Sequence, residues 1–418
     1  MKQNHSFRLL GTFAMICVLG VSVFFAQVTQ ANPWVTGYYT TWSSPNMPVS
    51  SIDFSAMTDV VDFAVIPNAD DSLDYDLMGN FSTSTPALVS AAHNNSPRRN
   101  VLLGVGGMNS AAAFNAATAN SDMCDQLIYN LEDALRDNNF DGLDIDIEPA
   151  ATVNKANFNN FIYLLRGNLA YMVAHHSDFG ISRTAPYVLT AAMGGTPSNW
   201  SGLNKATLDC FDHVNLMTYG PIGNWPGWNS WFEACIYSDV PNYTSIQDTV
   251  DDWTTATFPD GGSLSASKVG FGIPFYSALW TGVTSYSQPL NPPGTYHVTT
   301  MATTYETQID YQASQDICNT FPAYLYPTYN QWYGVGHVPF LSIPAHTTGF
   351  DDGAFLSFET PTSINQKVST LLSTEGLGGV ILWNINSGYI DSGPNAGQDP
   401  LLTDVKNAVN AYCPGALQ

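Results

Sequence analysis

The chain has 418 residues, of which 44% are hydrophobic and 11% charged, and its 35 acidic side chains outnumber 12 basic ones for a net charge of −23. A surface this acidic repels the phosphate backbone of nucleic acids and the headgroups of anionic membranes. The charge therefore argues against a protein that binds nucleic acid or an anionic membrane. We therefore expect a neutral or cationic partner.

Residues 1–31 have the pattern of a secretory signal peptide. Lys2 and Arg8 form a positively charged end, Leu9–Ala26 is an uncharged apolar run, and Thr29-Gln30-Ala31 is a plausible small-residue cleavage site. An uncleaved membrane anchor is the alternative, because the apolar run is nearly long enough to cross a bilayer. The small residues that follow the apolar run favour cleavage. The sequence therefore predicts a secreted protein, extracellular or periplasmic, without a membrane segment after cleavage.

Short apolar runs alternate with longer segments of helical periodicity over the rest of the chain, which is typical of repeated βα units. Eight runs predict strands that would close into a (β/α)8 TIM barrel of the α/β class. They are Val35–Tyr39, Val60–Ile66, Val101–Val105, Gly142–Ile147, Val188–Ala192, His213–Thr218, Val269–Ile273 and Gly379–Leu382. Helical stripes follow the third and fourth runs, at Met123, Leu127, Ile128, Leu131 and Leu135, and at Phe158, Phe161, Ile162, Leu165, Leu169 and Met172.

The interval between the seventh and eighth predicted strands is too long for a single helix. Residues 280–350 are rich in Tyr, Thr, Pro and Gly and show a helical pattern only near Tyr305–Cys318. A structureless loop of this size is uncommon in a compact domain, so the sequence predicts a small α+β insertion domain between strand 7 and helix 7. Helix 7 would follow at Ser363–Leu372, and the barrel domain would cover residues 32–418, interrupted by the insertion.

Five cysteines follow the leader: Cys124, Cys210, Cys235, Cys318 and Cys413. This odd, widely spaced set in an exported protein suggests at most two disulfides and one remaining thiol. The sequence has no CxxC pair and no histidine pair at the spacing of metal ligands. We therefore expect no zinc site, no other metal and no cofactor.

Three carboxyl groups share one face of the fourth predicted strand. Asp144, Asp146 and Glu148 are spaced two residues apart, with Ile145 and Ile147 between them. Three like charges in a row are costly to bury, and they are typical of a site that pushes neighbouring carboxyl pKa values apart so that one group keeps its proton. A calcium loop is the alternative, but such loops use glycine turns rather than alternating hydrophobic residues. The strand therefore predicts a catalytic site.

The run Asp141-Gly142-Leu143-Asp144-Ile145-Asp146-Ile147-Glu148 resembles the DGxDxDxE motif of the family 18 glycoside hydrolases, which include chitinases. The resemblance covers nearly the whole chain after the leader. Five further segments also resemble the family, and they lie in strands one, three, six, seven and eight. In that order they are Gly37-Tyr38-Tyr39, Gly106-Gly107, Met217-Thr218-Tyr219, Pro274-Phe275-Tyr276 with Trp280, and Gly378-Gly379 leading to Trp383. Many chitinases of this family carry a small α+β domain where the insertion is predicted.

The resemblance implies substrate-assisted retaining hydrolysis, in which the acetamide of an N-acetylglucosamine unit attacks its own anomeric carbon. Acids on a single strand are badly placed to flank a glycosidic bond, which agrees with a nucleophile supplied by the substrate. By this resemblance Glu148 protonates the leaving oxygen and later activates water, and Asp146 binds the acetamide N–H. Asp144 shares a proton with Asp146, Tyr219 donates its hydroxyl to the acetamide oxygen, and Trp383 forms the apolar floor beneath the sugar.

Other residues are candidate contacts to the sugar chain. Met217 belongs to the sixth-strand motif, and Tyr38, Tyr276 and Trp280 either form walls of the cleft or belong to the core. The loop of residues 224–231 carries three tryptophans, of which Trp225 is a candidate stacking platform beyond the cleavage point.

The chain departs from the family pattern at several positions. The family usually has Ser at Gly104, where the hydroxyl supports the innermost aspartate, and Asp or Asn at Gly220. Arg is common at Ala278, and aromatic residues are common at Ile147 and Pro149. These differences bear on substrate length, rate and pH optimum, and they leave the reaction type favoured.

The resemblance thus implies a secreted chitinase that hydrolyses polymers of β-1,4-linked N-acetylglucosamine, and we expect a monomer that binds neither nucleic acid nor membrane. An endo-β-N-acetylglucosaminidase that acts on N-glycans is one alternative, because it uses a similar motif. A lectin-like protein or inhibitor on an inactive barrel is another. Such proteins typically lose the glutamate, whereas Glu148 is intact.

Overall fold

The computed structural model describes residues 32–79, 81–194, 197–219, 236, 245–281, 305–326 and 339–417. Within these ranges eight parallel strands form a closed barrel: β1 Trp34–Thr40, β2 Asp59–Pro67, β3 Asn100–Gly107, β4 Gly142–Ile147, β5 Val188–Met193, β6 His213–Leu216, β7 Val269–Pro274 and β8 Gly379–Trp383. Each strand pairs with the next, and β1 pairs with both β2 and β8. The predicted (β/α)8 barrel is confirmed, with every strand end within about two residues of its predicted position.

The helices of the described ranges alternate with the barrel strands for most of the chain. They are α1 Phe81–Asn94, α2 Ala111–Ala117, α3 Ser121–Asn138, α4 Lys155–Ala174, α5 Lys205–Cys210, α6 Ile246–Thr255, α7 Tyr311–Thr320, α8 Pro361–Ser373, α9 Ile385–Gly388 and α10 Pro400–Tyr412. The helix predicted at Ser363–Leu372 is α8. Each of these described helices is too short or too polar to cross a lipid bilayer.

The apolar stripes of α3 and α4 pack on the outside of the barrel. All six predicted stripe residues of α4 are buried, as are four of the five on α3, while Met123 is half-buried. Asn120 fixes the start of α3, because its side chain accepts a hydrogen bond from the N–H of Met123. The periodic pattern in the sequence therefore marks the buried face of both helices.

The floor of the barrel is closed by an indole ring. Trp34, at the start of β1, stacks on His213 with ring centroids 3.9 Å apart, and its Nε1–H donates to Asn215 Oδ1 at 3.1 Å. A Cβ at Gly379 would lie 2.3 Å from this indole, so β8 needs a glycine there. The ring seals the amino-terminal end of the barrel, and the polar interior opens toward the carboxyl ends of the strands.

A second sheet lies in the chain between β7 and β8. Its five antiparallel strands are, in spatial order, Tyr305–Ile309, Ser277–Thr281, Ala354–Ser357, Phe340–Ile343 and Leu325–Tyr326. The helical pattern predicted near Tyr305–Cys318 is wrong at its start, because Tyr305–Ile309 is a strand and α7 begins at Tyr311. Thr307 and Ile309 are β-branched, and such residues are common in strands.

Cysteine pairing is absent from the described part of the chain. Cys124, Cys210, Cys318 and Cys413 are free thiols, while Cys235 and the leader 1–31 fall outside the described ranges. The disulfides that the sequence allows are therefore not formed among the four cysteines that the structure describes.

Candidate active site

The three predicted carboxyl groups lie along β4 and directly after its carboxyl end. Asp144 and Asp146 point into the barrel and are buried, and Glu148 follows one residue after the strand and is half-buried. TIM barrels carry their catalytic residues at this end of the strands. The alternation along β4 therefore places two carboxyls inside the barrel and the third at its rim.

Asp144 is held by two hydroxyl groups from neighbouring elements. Tyr38 donates its Oη–H to Asp144 Oδ2 at 2.8 Å, and Thr190 on β5 donates its Oγ1–H to Oδ1 at 2.5 Å. Burial raises the pKa of Asp144 to about 6, while these two hydrogen bonds oppose that rise. Since both donors stabilise the anion, Asp144 is the aspartate best supported in its charged form.

Asp146 has a different environment from Asp144. Burial raises its pKa well above the usual range, and the negative charges of Glu148 and Asp144 raise it further. Its Oδ1 atom is buried and has no hydrogen-bond partner among the described residues. Both effects favour the protonated form of Asp146, and its Oδ1 is available to accept a hydrogen bond.

Glu148 is the most accessible of the three carboxyl groups. Burial raises its pKa, although the side chain still reaches the surface at the rim of the barrel. A half-buried carboxyl with a raised pKa fits a general acid, which must carry its proton at the working pH and must reach the substrate.

Tyr219 is placed by the junction between β6 and β7. Thr218 donates its Oγ1–H to the Gly272 carbonyl at 3.0 Å and accepts the Gly272 N–H at 2.8 Å, which ties the end of β6 to β7. A Cβ at Gly272 would lie 2.4 Å from the ring of Tyr219. Tyr219 and Met217 pack against the cluster of interior residues that includes Tyr38. The glycine therefore makes room for the ring beside the aspartates.

Trp383 ends β8 at the open end of the barrel and is half-buried. Its ring contacts Phe63 and Tyr38 edge to face, with centroid distances of 4.9 and 5.5 Å. Such aromatic pairs hold one another in fixed orientations. The structure thus brings Trp383 together with Tyr38, which also contacts Asp144.

Trp42 is a candidate that the sequence reasoning missed. It lies just after β1, its side chain is 46% exposed, and its ring meets Phe63 at a centroid distance of 6.2 Å. Aromatic contacts therefore run from Trp383 through Phe63 to this exposed indole. Its place directly after the first strand, where loops of the catalytic face begin, is the signal that could have identified it.

Thr190 is the second residue that the sequence did not point to. A Cβ at Gly104 would lie 2.8 Å from the ring of Phe63, so a serine at this position would require Phe63 to move. The hydroxyl that the sequence lacks at Gly104 is instead donated to Asp144 from β5. Nothing in the local sequence around Thr190 indicates this contact, because the two residues are 46 positions apart.

Several predicted contact residues are not brought to the open site. Tyr276 is 4% exposed, and Trp280 is 2% exposed in the strand Ser277–Thr281, paired with Phe355 of the second sheet. Trp225 and Gly220 lie outside the described residues. The roles of Tyr276, Trp280 and Trp225 as sugar contacts stay predictions. Within the described ranges, no three His, Cys, Asp or Glu side chains are grouped as metal ligands would be.

Comparisons with known proteins agree on one family. A sequence model described as "Glycosyl hydrolases family 18" matches residues 35–388. "Chitinase 1" of Aphanocladium album is 25% identical over 301 residues, which are 69% of this chain and 61% of that protein. The chain therefore spans less than two thirds of the length of this relative.

Solved structures share the fold. A chitinase from Trichuris suis superimposes with a TM-score of 0.70 at 19% identity, covering 90% of this chain and 99% of that one. A chitinase from Cycas revoluta, solved in complex with (GlcNAc)3, superimposes with a TM-score of 0.68 at 16% identity over 90% and 99% of the two chains. At these identities the likeness shows the barrel fold.

The support of Asp144 by Thr190 can be tested by titration. Thr190→Val removes one donor to the anion and should raise the pKa of Asp144 by about one to two units, since a hydrogen bond to a charged group contributes roughly 1.5–3 kcal/mol. The carboxyl-carbon chemical shift, followed by NMR against pH, reports this pKa. Thr190→Ser keeps the hydroxyl and serves as the control. An unchanged titration in the valine variant would contradict the assignment.

Proposed function

The chain belongs to family 18 of the glycosyl hydrolases, and on that premise we propose that it is a chitinase. It hydrolyses β-1,4 bonds between N-acetylglucosamine units and retains the anomeric configuration. The observation that carries the proposal is the contrast between two neighbouring carboxyl groups: Glu148 reaches the rim of the barrel and has a raised pKa, while Asp146 is buried and its Oδ1 has no hydrogen-bond partner among the described residues. The relatives named as chitinases, one of them bound to an N-acetylglucosamine oligomer, support this substrate class.

Glu148 provides the acid and then the base. Because burial raises its pKa, the carboxyl is protonated when substrate binds and transfers its proton to the glycosidic oxygen as the bond to the anomeric carbon breaks. The resulting carboxylate later removes a proton from the water that attacks the same carbon. The two proton transfers cancel, and the enzyme returns to its starting state.

The nucleophile comes from the substrate. Asp144 and Asp146 lie on the same strand as Glu148, on the acid's side of the bond, and neither is placed to attack from the opposite face of the sugar. The acetamide oxygen of the bound sugar attacks its own anomeric carbon and forms a cyclic oxazolinium ion, which water then opens. Two successive displacements at one carbon retain its configuration.

The aspartates stabilise the positive charge of this intermediate. Asp146 binds the acetamide N–H through its open oxygen, and its proton moves toward Asp144 as positive charge develops on the acetamide. Tyr219 donates its hydroxyl to the acetamide oxygen and aligns it for attack. Trp383 packs beneath the sugar ring, and Trp42 offers a further exposed ring face along the same aromatic row.

Replacement of the acid tests the enzyme assignment. Glu148→Gln removes the transferable proton and keeps the shape, so we expect kcat on a soluble chitin polymer to fall at least about 10²–10⁴-fold, the range typical of general acid catalysis. Glu375→Gln, in the turn before β8 at the opposite end of the barrel, is the matched control and should behave as wild type. A folded wild-type protein without turnover, or a Glu148→Gln variant of full activity, would overturn the proposal.

Product stereochemistry tests the mechanism. Digestion of a defined N-acetylglucosamine oligomer, followed by NMR before mutarotation, should show the β-anomer in excess, because two displacements retain configuration. Release of glycans from an N-glycosylated protein is measured in parallel. An initial excess of the α-anomer would refute substrate assistance, and glycan release without chitobiose release would identify an endo-β-N-acetylglucosaminidase.

We also propose that the protein is exported and that residues 1–31 are removed. The charged start, the apolar run and the small-residue exit of this segment support cleavage after Ala31. Mass spectrometry of the exported form should find Asn32 as the first residue. Recovery of the uncleaved chain in the membrane fraction would contradict the proposal.

A further inference from the structure

Ser110 stands at the start of α2 but does not cap that helix. Serine at this position usually accepts a hydrogen bond from an N–H of the first helical turn, which contributes about 1 kcal/mol. Ser110 makes no such bond within α2, all of whose residues are described. Ser245 at the start of α6 shows the usual arrangement, because its Oγ accepts the Asp248 N–H at 3.1 Å. The Ser110 hydroxyl is therefore used elsewhere.

The main chain of Glu148 is bound by the first residues of α2. The Ser110 hydroxyl accepts the Glu148 N–H at 3.1 Å and reaches the Asp146 carbonyl at 3.5 Å. The next residue, Ala111, donates its N–H to the Glu148 carbonyl at 2.8 Å. The N–H and the carbonyl of Glu148 are thus hydrogen-bonded to two adjacent residues. Ser110 is buried, with 1% of its surface exposed.

These hydrogen bonds to Glu148 lie directly beyond the paired part of β3 and β4. The pairing of β3 with β4 stops at Gly107 and Ile147, one residue before Glu148. A Cβ at Gly106 would lie 2.1 Å from the Asp146 carbonyl oxygen, and Gly106 has a φ of +113°, so only glycine suits this approach. The turn that follows brings Ser110 beside Glu148. A residue outside the ladder needs other partners for its buried main chain, and Ser110 and Ala111 provide them.

We propose that Ser110 is a positioning residue for the acid, acting through the main chain of Glu148. The inference rests on the proposed function of Glu148. Without the hydroxyl, the Glu148 N–H loses its partner and the residue is held by Ala111 alone. The carboxyl then shifts relative to the glycosidic oxygen, and a displacement of about 1 Å can cost about 10²-fold in rate. Binding of the rest of the sugar chain is not affected.

Kinetics of two serine variants separate positioning from stability. Ser110→Ala should lower kcat about 10–100-fold and leave KM within about threefold, because only the transition state loses an interaction. Ser245→Ala removes a true helix cap without touching the carboxyl strand, so its melting temperature should fall while kcat at 25 °C stays at the wild-type value. A folded Ser110→Ala variant within about twofold of wild-type kcat would overturn the inference, as would an equal loss of kcat in Ser245→Ala.

The pH profile supplies a readout that a structural role would not change. A displaced Glu148 carboxyl is better solvated, which lowers its pKa, so the alkaline limb of kcat/KM should move to lower pH in Ser110→Ala. Ser110→Thr keeps the hydroxyl, so kcat and the pH of the alkaline limb should both be those of the wild type. A folded threonine variant that resembles the alanine variant in both respects would contradict the role of the hydroxyl.

Amide exchange tests the contact independently of turnover. Hydrogen exchange at the Glu148 N–H, measured by NMR, should be at least about tenfold faster in Ser110→Ala, whereas Ile145 inside the ladder should be unchanged. Equal protection of Glu148 in both proteins would overturn the inference. Absence of turnover in the wild type would instead overturn the proposed function, so the two failures are distinguishable.

Discussion

The burial of two carboxyl groups on one strand, with a third directly after it, is the constraint on which the site depends. Water no longer solvates Asp144 and Asp146, and each charge raises the cost of the next. Hydroxyl donors stabilise one anion, at Asp144. The described structure offers no such donor to the buried Oδ1 of Asp146, and burial raises the pKa of that carboxyl, which favours its protonated form. The same burial that destabilises the anions thus raises the pKa values of both aspartates.

Glycines at two interior positions leave the space that this arrangement needs. Gly272 leaves space for the ring of Tyr219, and Gly106 lets β3 approach the carbonyl of Asp146. Barrel interiors are normally filled by large branched residues. Here aromatic rings that belong to the site fill the upper interior, so the packing of the barrel and the shape of the site depend on the same residues.

The fold and the central site could be predicted from the sequence because both rest on short-range patterns. Short apolar runs between helical segments located all eight barrel strands, and spacing by two placed Asp144 and Asp146 on one face. The roles of Thr190 and Ser110 could not be predicted, because each contact joins residues 46 or 38 positions apart. The sequence of a strand-end motif likewise does not show whether an aromatic ring is exposed or buried. Trp280 is an example, because its side chain is buried in the second sheet.

The donor to Asp144 shows how packing decides which residue performs a role. The ring of Phe63 occupies the space next to Gly104 and contacts Trp383, so a side chain at position 104 would displace a ring that packs against this tryptophan. The adjacent strand on the other side of β4 carries Thr190 at the level of Asp144. A donor on β5 stabilises the anion without displacing Phe63. The anion at Asp144 fixes the need for a donor, and the packing of Phe63 makes β5 the neighbouring strand that can supply it.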